Sequence, residues 1–103
     1  MQSLYDLDFF LDSVSGLSKD EIIVKASEKI TYLENISYGK KGAVKAREYG
    51  SAELISSLRH LLGFLQSGSK NNIPDYIFYK FKPIVQNLVN KNEINKEILN
   101  LFP

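Results

Sequence analysis

The chain has 103 residues, of which 44% are hydrophobic and 24% are charged, and this composition is typical of one globular domain spanning residues 1–103. It contains no cysteine, which excludes disulfides, thiolate metal sites and cysteine nucleophiles. The net charge is only +1, so the chain has no global field that would attract nucleic acid or anionic lipid.

The charge is distributed unevenly along the chain. Residues 1–36 carry seven acidic and three basic side chains, whereas residues 37–70 carry six basic and two acidic ones. Much of the positive charge lies in the stretch YGKKGAVKAREYGS at positions 38–51. Its cations form a basic patch of Lys40, Lys41, Lys45 and Arg47. Its glycines lack the spacing of a phosphate-binding loop, so we interpret it as a solvated connector and leave open whether it is helical.

The apolar residues of the first two predicted helices have helical spacing. The first helix begins near Leu4 and ends at Gly16. The second begins with Ser18-Lys19-Asp20-Glu21, which has the S-x-x-E form of a capping box, and we predict a break from Asn35 to Gly42. The apolar faces consist of Leu4, Leu7, Phe10, Leu11, Val14, Ile22, Ile23, Ala26, Ile30 and Leu33.

The second half of the chain has the same helical pattern. A third helix is predicted to begin near Ser51 and to end in the polar loop 67–72. We predict Pro74 as the first residue of a fourth helix, which Pro83 should kink or divide, and Asn92 as the cap of a short final helix. The apolar faces consist of Leu54, Ile55, Leu58, Leu61, Leu62, Leu65, Ile77, Phe78, Phe81, Ile84, Val85, Leu88, Ile94, Ile98 and Leu101.

Four amphipathic helices joined by short loops can bury their apolar faces only against one another. This pattern predicts an all-α fold, an antiparallel four-helix bundle with a short additional C-terminal helix. No stretch approaches the roughly 18 apolar residues of a membrane span, and residues 1–14 lack the basic start of a signal peptide. We therefore expect a cytoplasmic protein.

No set of side chains has the spacing of a catalytic or metal site. His60 has no acidic residue one turn away and is expected to lie at a helix boundary. The carboxylates of Asp6, Asp8 and Asp12 are expected to form a solvated acidic face, because two or three carboxylates alone are too few for a cation site. We therefore predict no enzymatic activity, no cofactor and no metal.

Aromatic residues are dense between positions 76 and 81. Tyr76, Tyr79 and Lys80 fall outside the apolar stripe of the fourth helix and are expected to be partly exposed. Two interpretations stay open, boundary tyrosines with hydroxyls in water or part of a surface that faces a partner.

Two other functions are alternatives at this point. The basic patch, with Arg59, could contact nucleic-acid phosphates, although a pI of about 7.9 is low for such a module. A helical protein adaptor that dimerises through Leu54 to Leu65 is the other alternative.

The chain also resembles the immunity proteins of class IIa (pediocin-like) bacteriocins, of the enterocin A immunity type. The resemblance rests on Ser18-Lys19-Asp20-Glu21 leading into IIVKASEKITYLE, on LISSLRHLLGFL at 54–65, and on Ile73-Pro74-Asp75 with the aromatic helix DYIFYKFKPIVQNL. These segments cover most of residues 4–90. The resemblance implies an antiparallel four-helix bundle that protects the producing cell from its own bacteriocin, acting from the cytoplasm as a monomer.

The partner implied by the resemblance is the membrane mannose phosphotransferase permease with bound bacteriocin, and a peripheral contact with the inner face of the membrane is left open. The resemblance assigns recognition to the C-terminal half. The candidate partner-binding residues are therefore Tyr76, Tyr79, Lys80, Lys82 and Phe102. We expect Leu101-Phe102-Pro103 to be either a docking element or a strap over the bundle.

Overall fold

The structure, a computed structural model, describes the backbone of residues 2–38 and 51–102 and the side chains of residues 6–35 and 52–102. Within these ranges it contains helices and no strand, which confirms the all-α prediction for this part of the chain. The elements are α1 (Gln2–Val14), α2 (Lys19–Tyr38), α3 (Ser51–Ser67), α4 (Asp75–Phe78), a 3-10 turn (Tyr79–Phe81), α5 (Lys82–Asn90) and a C-terminal 3-10 helix (Lys96–Leu101).

The capping box that begins α2 is confirmed. The Glu21 N–H donates to Ser18 Oγ over 3.2 Å, and the Ser18 N–H donates to Glu21 Oε1 over 3.1 Å. These reciprocal bonds satisfy two of the amides that a helix start leaves unpaired. They also lower the pKa of the Glu21 carboxyl, chiefly through the backbone hydrogen bond from Ser18 and next through its hydroxyl.

The predicted end of α2 is wrong, because the helix continues past Asn35 to Tyr38. Leu33 is buried in the core, and the neighbouring Glu34 forms an ion pair with Arg59 of α3. These tertiary contacts fix the turn before Asn35 against the rest of the bundle, and the helix continues for one more turn beyond it.

Pro83 divides the fourth helical segment, as predicted. In an unbroken helix, residue 83 would donate its N–H to the Tyr79 carbonyl, and proline has no N–H. The Tyr79 carbonyl accepts instead from the Lys82 N–H, which closes the 3-10 turn Tyr79–Phe81. Pro83 then becomes the second residue of α5, in the first turn, where a missing donor is tolerated.

Two predicted helix starts are displaced. Pro74 is the N-cap of α4 and not its first residue, and its carbonyl accepts from the N–H groups of Ile77 and Phe78. The cap of the C-terminal 3-10 helix is Asn95, whose Oδ1 accepts from the Glu97 N–H over 2.9 Å. Asn92 instead has a φ of 62°, a conformation that asparagine tolerates in a turn.

The core is centred on Phe64 of α3. Its ring lies 5.0 Å from that of Phe78, 6.4 Å from Phe81 and 6.2 Å from Phe102, measured between centroids. The predicted apolar faces pack around this cluster, except that Leu101 is 41% exposed and that the side chain of Leu4 lies outside the described residues. The other buried members of the core are Leu7, Leu11, Val14, Ile22, Ile30, Leu33, Leu54, Ile55, Leu58, Leu61, Leu65, Ile73, Ile77, Ile84, Val85 and Leu88.

The α4–α5 segment runs in the same direction as α1, which departs from the antiparallel order expected for this pair. Lys80 Nζ donates to Asp8 Oδ1 over 2.8 Å, and seven residues further along both segments Asn87 Nδ2 donates to the Ser15 carbonyl, also over 2.8 Å. Lys91 Nζ donates to the next carbonyl, that of Gly16. The Ser15 and Gly16 carbonyls, which follow α1, thus accept hydrogen bonds from side chains at the end of α5. These bonds hold the C-terminal ends of α1 and α5 together.

We expect Phe64→Ala to lower the free energy of unfolding by about 3–5 kcal/mol, because it removes the ring that three other phenylalanines contact. Phe64→Leu should lose less, since it keeps an apolar side chain. The control is Phe9→Ala, at a position 81% exposed, which should change stability by less than about 0.5 kcal/mol. Urea denaturation followed by circular dichroism measures all three, and equal losses for Phe64→Ala and Phe9→Ala would contradict the assigned core.

The capping box predicts a pH dependence. Because the pKa of Glu21 is below its ordinary value of 4.5 in the folded protein, its contribution to stability is present above pH 4.5 and is lost as pH falls through the lower folded value. Glu21→Gln keeps an acceptor but cannot titrate, so its stability should decline less steeply below pH 4.5. Glu28→Gln, at an exposed position of α2, should retain the wild-type slope. Thermal unfolding from pH 3 to 6 tests this, and identical slopes for Glu21→Gln and wild type would refute it.

Candidate functional site

Tyr76, Tyr79 and Pro83 form an exposed strip along α4, the 3-10 turn and the start of α5, which we call the tyrosine face. The two tyrosines are 55% and 49% exposed, which confirms the predicted partial exposure. The strip continues along α5 with the exposed amides of Gln86 and Asn90, joined by a hydrogen bond of 3.2 Å. Lys82 is exposed beside the strip, three residues after Tyr79. Tyrosine is enriched at the centre of protein–protein interfaces.

The tyrosine face borders a groove of about 380 Å³ between α1 and residues 79–84, which we call the α1 groove. Leu11 and Ile84 form its apolar floor, and Tyr79 and Pro83 line the side formed by the fourth segment. Asp8, Asp12 and Ser15 line the side formed by α1.

Lys80 does not project freely from this surface. Its ammonium group forms an ion pair with Asp8 across the groove, and the side chain is only partly exposed. Lys82, two residues later, is exposed on α5. Lys80 and Lys82, which are both predicted to bind a partner, therefore have different environments, because they lie on different sides of the segment.

Phe102 is buried, so we do not retain it as a candidate partner-binding residue. Its side chain is 7% exposed, and its ring stacks on Phe78 with the centroids 4.3 Å apart. Leu101 beside it is 41% exposed. Of the two roles considered for the C-terminal segment, the contacts of Phe102 are those of a strap over the bundle.

The other sequence-derived candidates are placed as follows. The basic patch of Lys40, Lys41, Lys45 and Arg47 lies outside the described residues. His60 is partly buried on α3, in agreement with a boundary position. Among the described side chains, no group of three or more histidines, cysteines, aspartates or glutamates could hold a metal ion.

A larger groove of about 510 Å³ lies between the start of α2, the end of α3 and the C-terminal segment. Two of its polar side chains already form hydrogen bonds with backbone N–H groups of the protein. Glu93 Oε1 accepts from the Lys19 N–H over 2.9 Å, and Asn95 caps the C-terminal 3-10 helix. This groove therefore has a structural role, and we regard the α1 groove as the better recognition candidate because it borders the exposed tyrosines.

Sequence reasoning missed the part that α1 has in this surface. Asp8 and Asp12 are predicted to form a solvated acidic face. In the structure they lie opposite Tyr79 and Lys80, which are about 70 residues away in the sequence. No local sequence motif indicates a contact between residues so far apart in the sequence. The only available signal was the i, i+4 spacing of the two aspartates on one helix face.

A comparison of the chain with protein-family models, with curated protein sequences and with solved structures found no match to any of them. In residues 2–38 and 51–102, no helix has both the length and the apolar character needed to cross a membrane.

The C-terminal strap predicts unequal effects for its two apolar residues. Phe102→Ala should lower the free energy of unfolding by about 3 kcal/mol, because it empties the space beside Phe78 and Phe64. Leu101→Ala, at a mainly exposed position, should cost less than about 1 kcal/mol. Denaturant titrations of the two variants check this, and a loss at Leu101 as large as that at Phe102 would be inconsistent with a strap.

Proposed function

We propose that this protein is an immunity protein that protects a producing cell from a pediocin-like bacteriocin. The observation that carries the proposal is the tyrosine face, an exposed aromatic strip in the half of the chain to which the resemblance assigns recognition. Two half-exposed tyrosines beside a proline offer rigid contact area at a small entropic cost. Binding, and not catalysis, is the chemistry that these side chains support.

In this proposal the protein acts in the cytoplasm on the membrane mannose phosphotransferase permease once that receptor holds bacteriocin. It does so as a monomer, at the inner face of the membrane, without a cofactor or an enzymatic step. The proposed bundle consists of α1, α2, α3 and the divided segment α4–α5. Successive helices α1, α2 and α3 alternate in direction, and Lys96–Leu101 is the additional C-terminal helix. Tyr76, Tyr79 and Lys82 are the receptor-facing side chains of the described region.

The alternative is a small helical module that binds nucleic acid or another protein. A nucleic-acid function would place affinity in the basic patch, with retention on a heparin column that falls when Lys40, Lys41 and Lys45 become alanine. An adaptor that dimerises through Leu54 to Leu65 is disfavoured, because Leu54, Leu58, Leu61 and Leu65 are buried in the core. An adaptor function would therefore use the tyrosine face on a different partner. Both alternatives predict no protection against bacteriocin.

Expression in a strain sensitive to pediocin-like bacteriocins tests the proposal. The wild-type protein should raise the bacteriocin concentration needed for killing by its cognate peptide. The double variant Tyr76→Ser/Tyr79→Ser should lose about tenfold or more of that protection, because two interface tyrosines are removed without disturbing the core. The matched control is Tyr32→Ser, which removes a similarly exposed tyrosine from α2 and should protect as wild type does.

Two results would count against the proposal. Unchanged killing by a panel of pediocin-like peptides in cells that contain the folded wild-type protein would argue against the function itself. Equal protection by the double variant and by Tyr32→Ser would argue against the tyrosine face as the recognition surface.

A further inference from the structure

The α1 groove already holds one ammonium group, and this internal contact indicates what else it can bind. Lys80 extends across the groove to Asp8, where its Nζ lies 2.8 Å from Oδ1. The aliphatic part of a lysine side chain packs readily against apolar surface while its charge reaches a polar partner. The groove thus contains an example, within the chain itself, of a basic side chain bound to an α1 carboxylate.

Asp12 offers a second position of the same kind. It lies one helical turn beyond Asp8 on the same edge of α1, lines the same groove, and is exposed. No hydrogen bond or ion pair of its carboxylate is found within the described residues. Because Lys80 neutralises Asp8, the remaining negative charge among the described residues that line the groove is that of Asp12.

The wall opposite Asp12 suits the stem of a basic side chain. Tyr79 presents an aromatic ring about half exposed, and Pro83 adds an apolar surface beside it. A cation that lies over a tyrosine ring gains attraction from the ring quadrupole, in addition to its ion pair with a carboxylate. An anionic ligand would gain neither contact and would be repelled by Asp12.

We propose that the α1 groove binds a basic peptide segment of a partner protein, with one lysine or arginine paired with Asp12 and its stem packed between Tyr79 and Pro83. The inference rests on the proposed function for its biological partner, a membrane receptor approached from the cytoplasm. Cytoplasmic loops of membrane proteins are enriched in lysine and arginine, so such a receptor presents this chemistry on the side where the protein acts.

The test uses the purified full-length protein and a short fluorescent peptide that contains two lysines separated by a leucine. Fluorescence anisotropy should detect binding that weakens as salt is added, because an exposed ion pair is screened. The same peptide with glutamates in place of the lysines should not bind. In ¹⁵N-correlated NMR spectra, the lysine peptide should shift the amide signals of Asp12, Ser15 and Tyr79.

The deciding variant is Asp12→Asn, which should weaken binding of the lysine peptide by about two- to fivefold, as expected for loss of an exposed ion pair. Tyr79→Ala should weaken it by a similar factor, and Tyr79→Phe should not. The matched control is Asp6→Asn, which makes the same charge change on α1 but lines a different side of that helix. It should bind as wild type does. Circular dichroism confirms that each variant is folded.

Several outcomes would overturn the inference. These are absence of binding by the lysine peptide, equal weakening by Asp6→Asn and Asp12→Asn, or shifted signals confined to another surface. Concentration-dependent sedimentation of the protein alone that Asp12→Asn abolishes would assign the groove to a second copy instead.

The two proposals can fail separately. Binding of the peptide at Asp12 by a protein that gives no protection would leave the groove assignment intact and remove the immunity function. Protection that persists undiminished in Asp12→Asn would keep the function and exclude the groove from it.

Discussion

The packing around Phe64 is the interaction on which the rest of the structure depends. One ring on α3 contacts Phe78 of α4, Phe81 of the 3-10 turn and Phe102 of the C-terminal segment. Since Phe78 and Phe81 are three residues apart and face inward, Tyr76 and Tyr79 are turned outward by the same local geometry. The exposed tyrosine face is therefore a consequence of the core that anchors the segment carrying it.

A second constraint comes from backbone groups at the connection between α1 and α2. The Ser15 and Gly16 carbonyls accept from Asn87 and Lys91, and the Lys19 N–H donates to Glu93. A cation thus lies near the C-terminal end of one helix and a carboxylate near the N-terminal end of the next, as the helix dipoles favour. This pairing fixes the end of α5 beside the end of α1, and the α1 groove lies between the two aligned segments.

Local signals in the sequence predicted much of the fold. The S-x-x-E box, the apolar stripes and the break at Pro83 are each determined by residues within a few positions, and the structure contains all three. The end of α2 was not predicted, because Asn35 and Ser37 favour a break locally whereas the helix continues to Tyr38. The α1 groove could not be predicted either, since the Asp8–Lys80 contact joins residues that share no periodicity.

Lys80 explains why a groove with two aspartates can serve recognition without being a metal site. An unneutralised pair of carboxylates on one helix turn repel each other, and two alone provide too few ligands for calcium. The ion pair with Lys80 removes the repulsion at Asp8 and leaves one acidic position, Asp12, beside an aromatic wall. A single charge next to apolar surface discriminates partners by sign and by shape together. It contributes modest affinity, so the proposed complex assigns most of the binding energy to the tyrosine face.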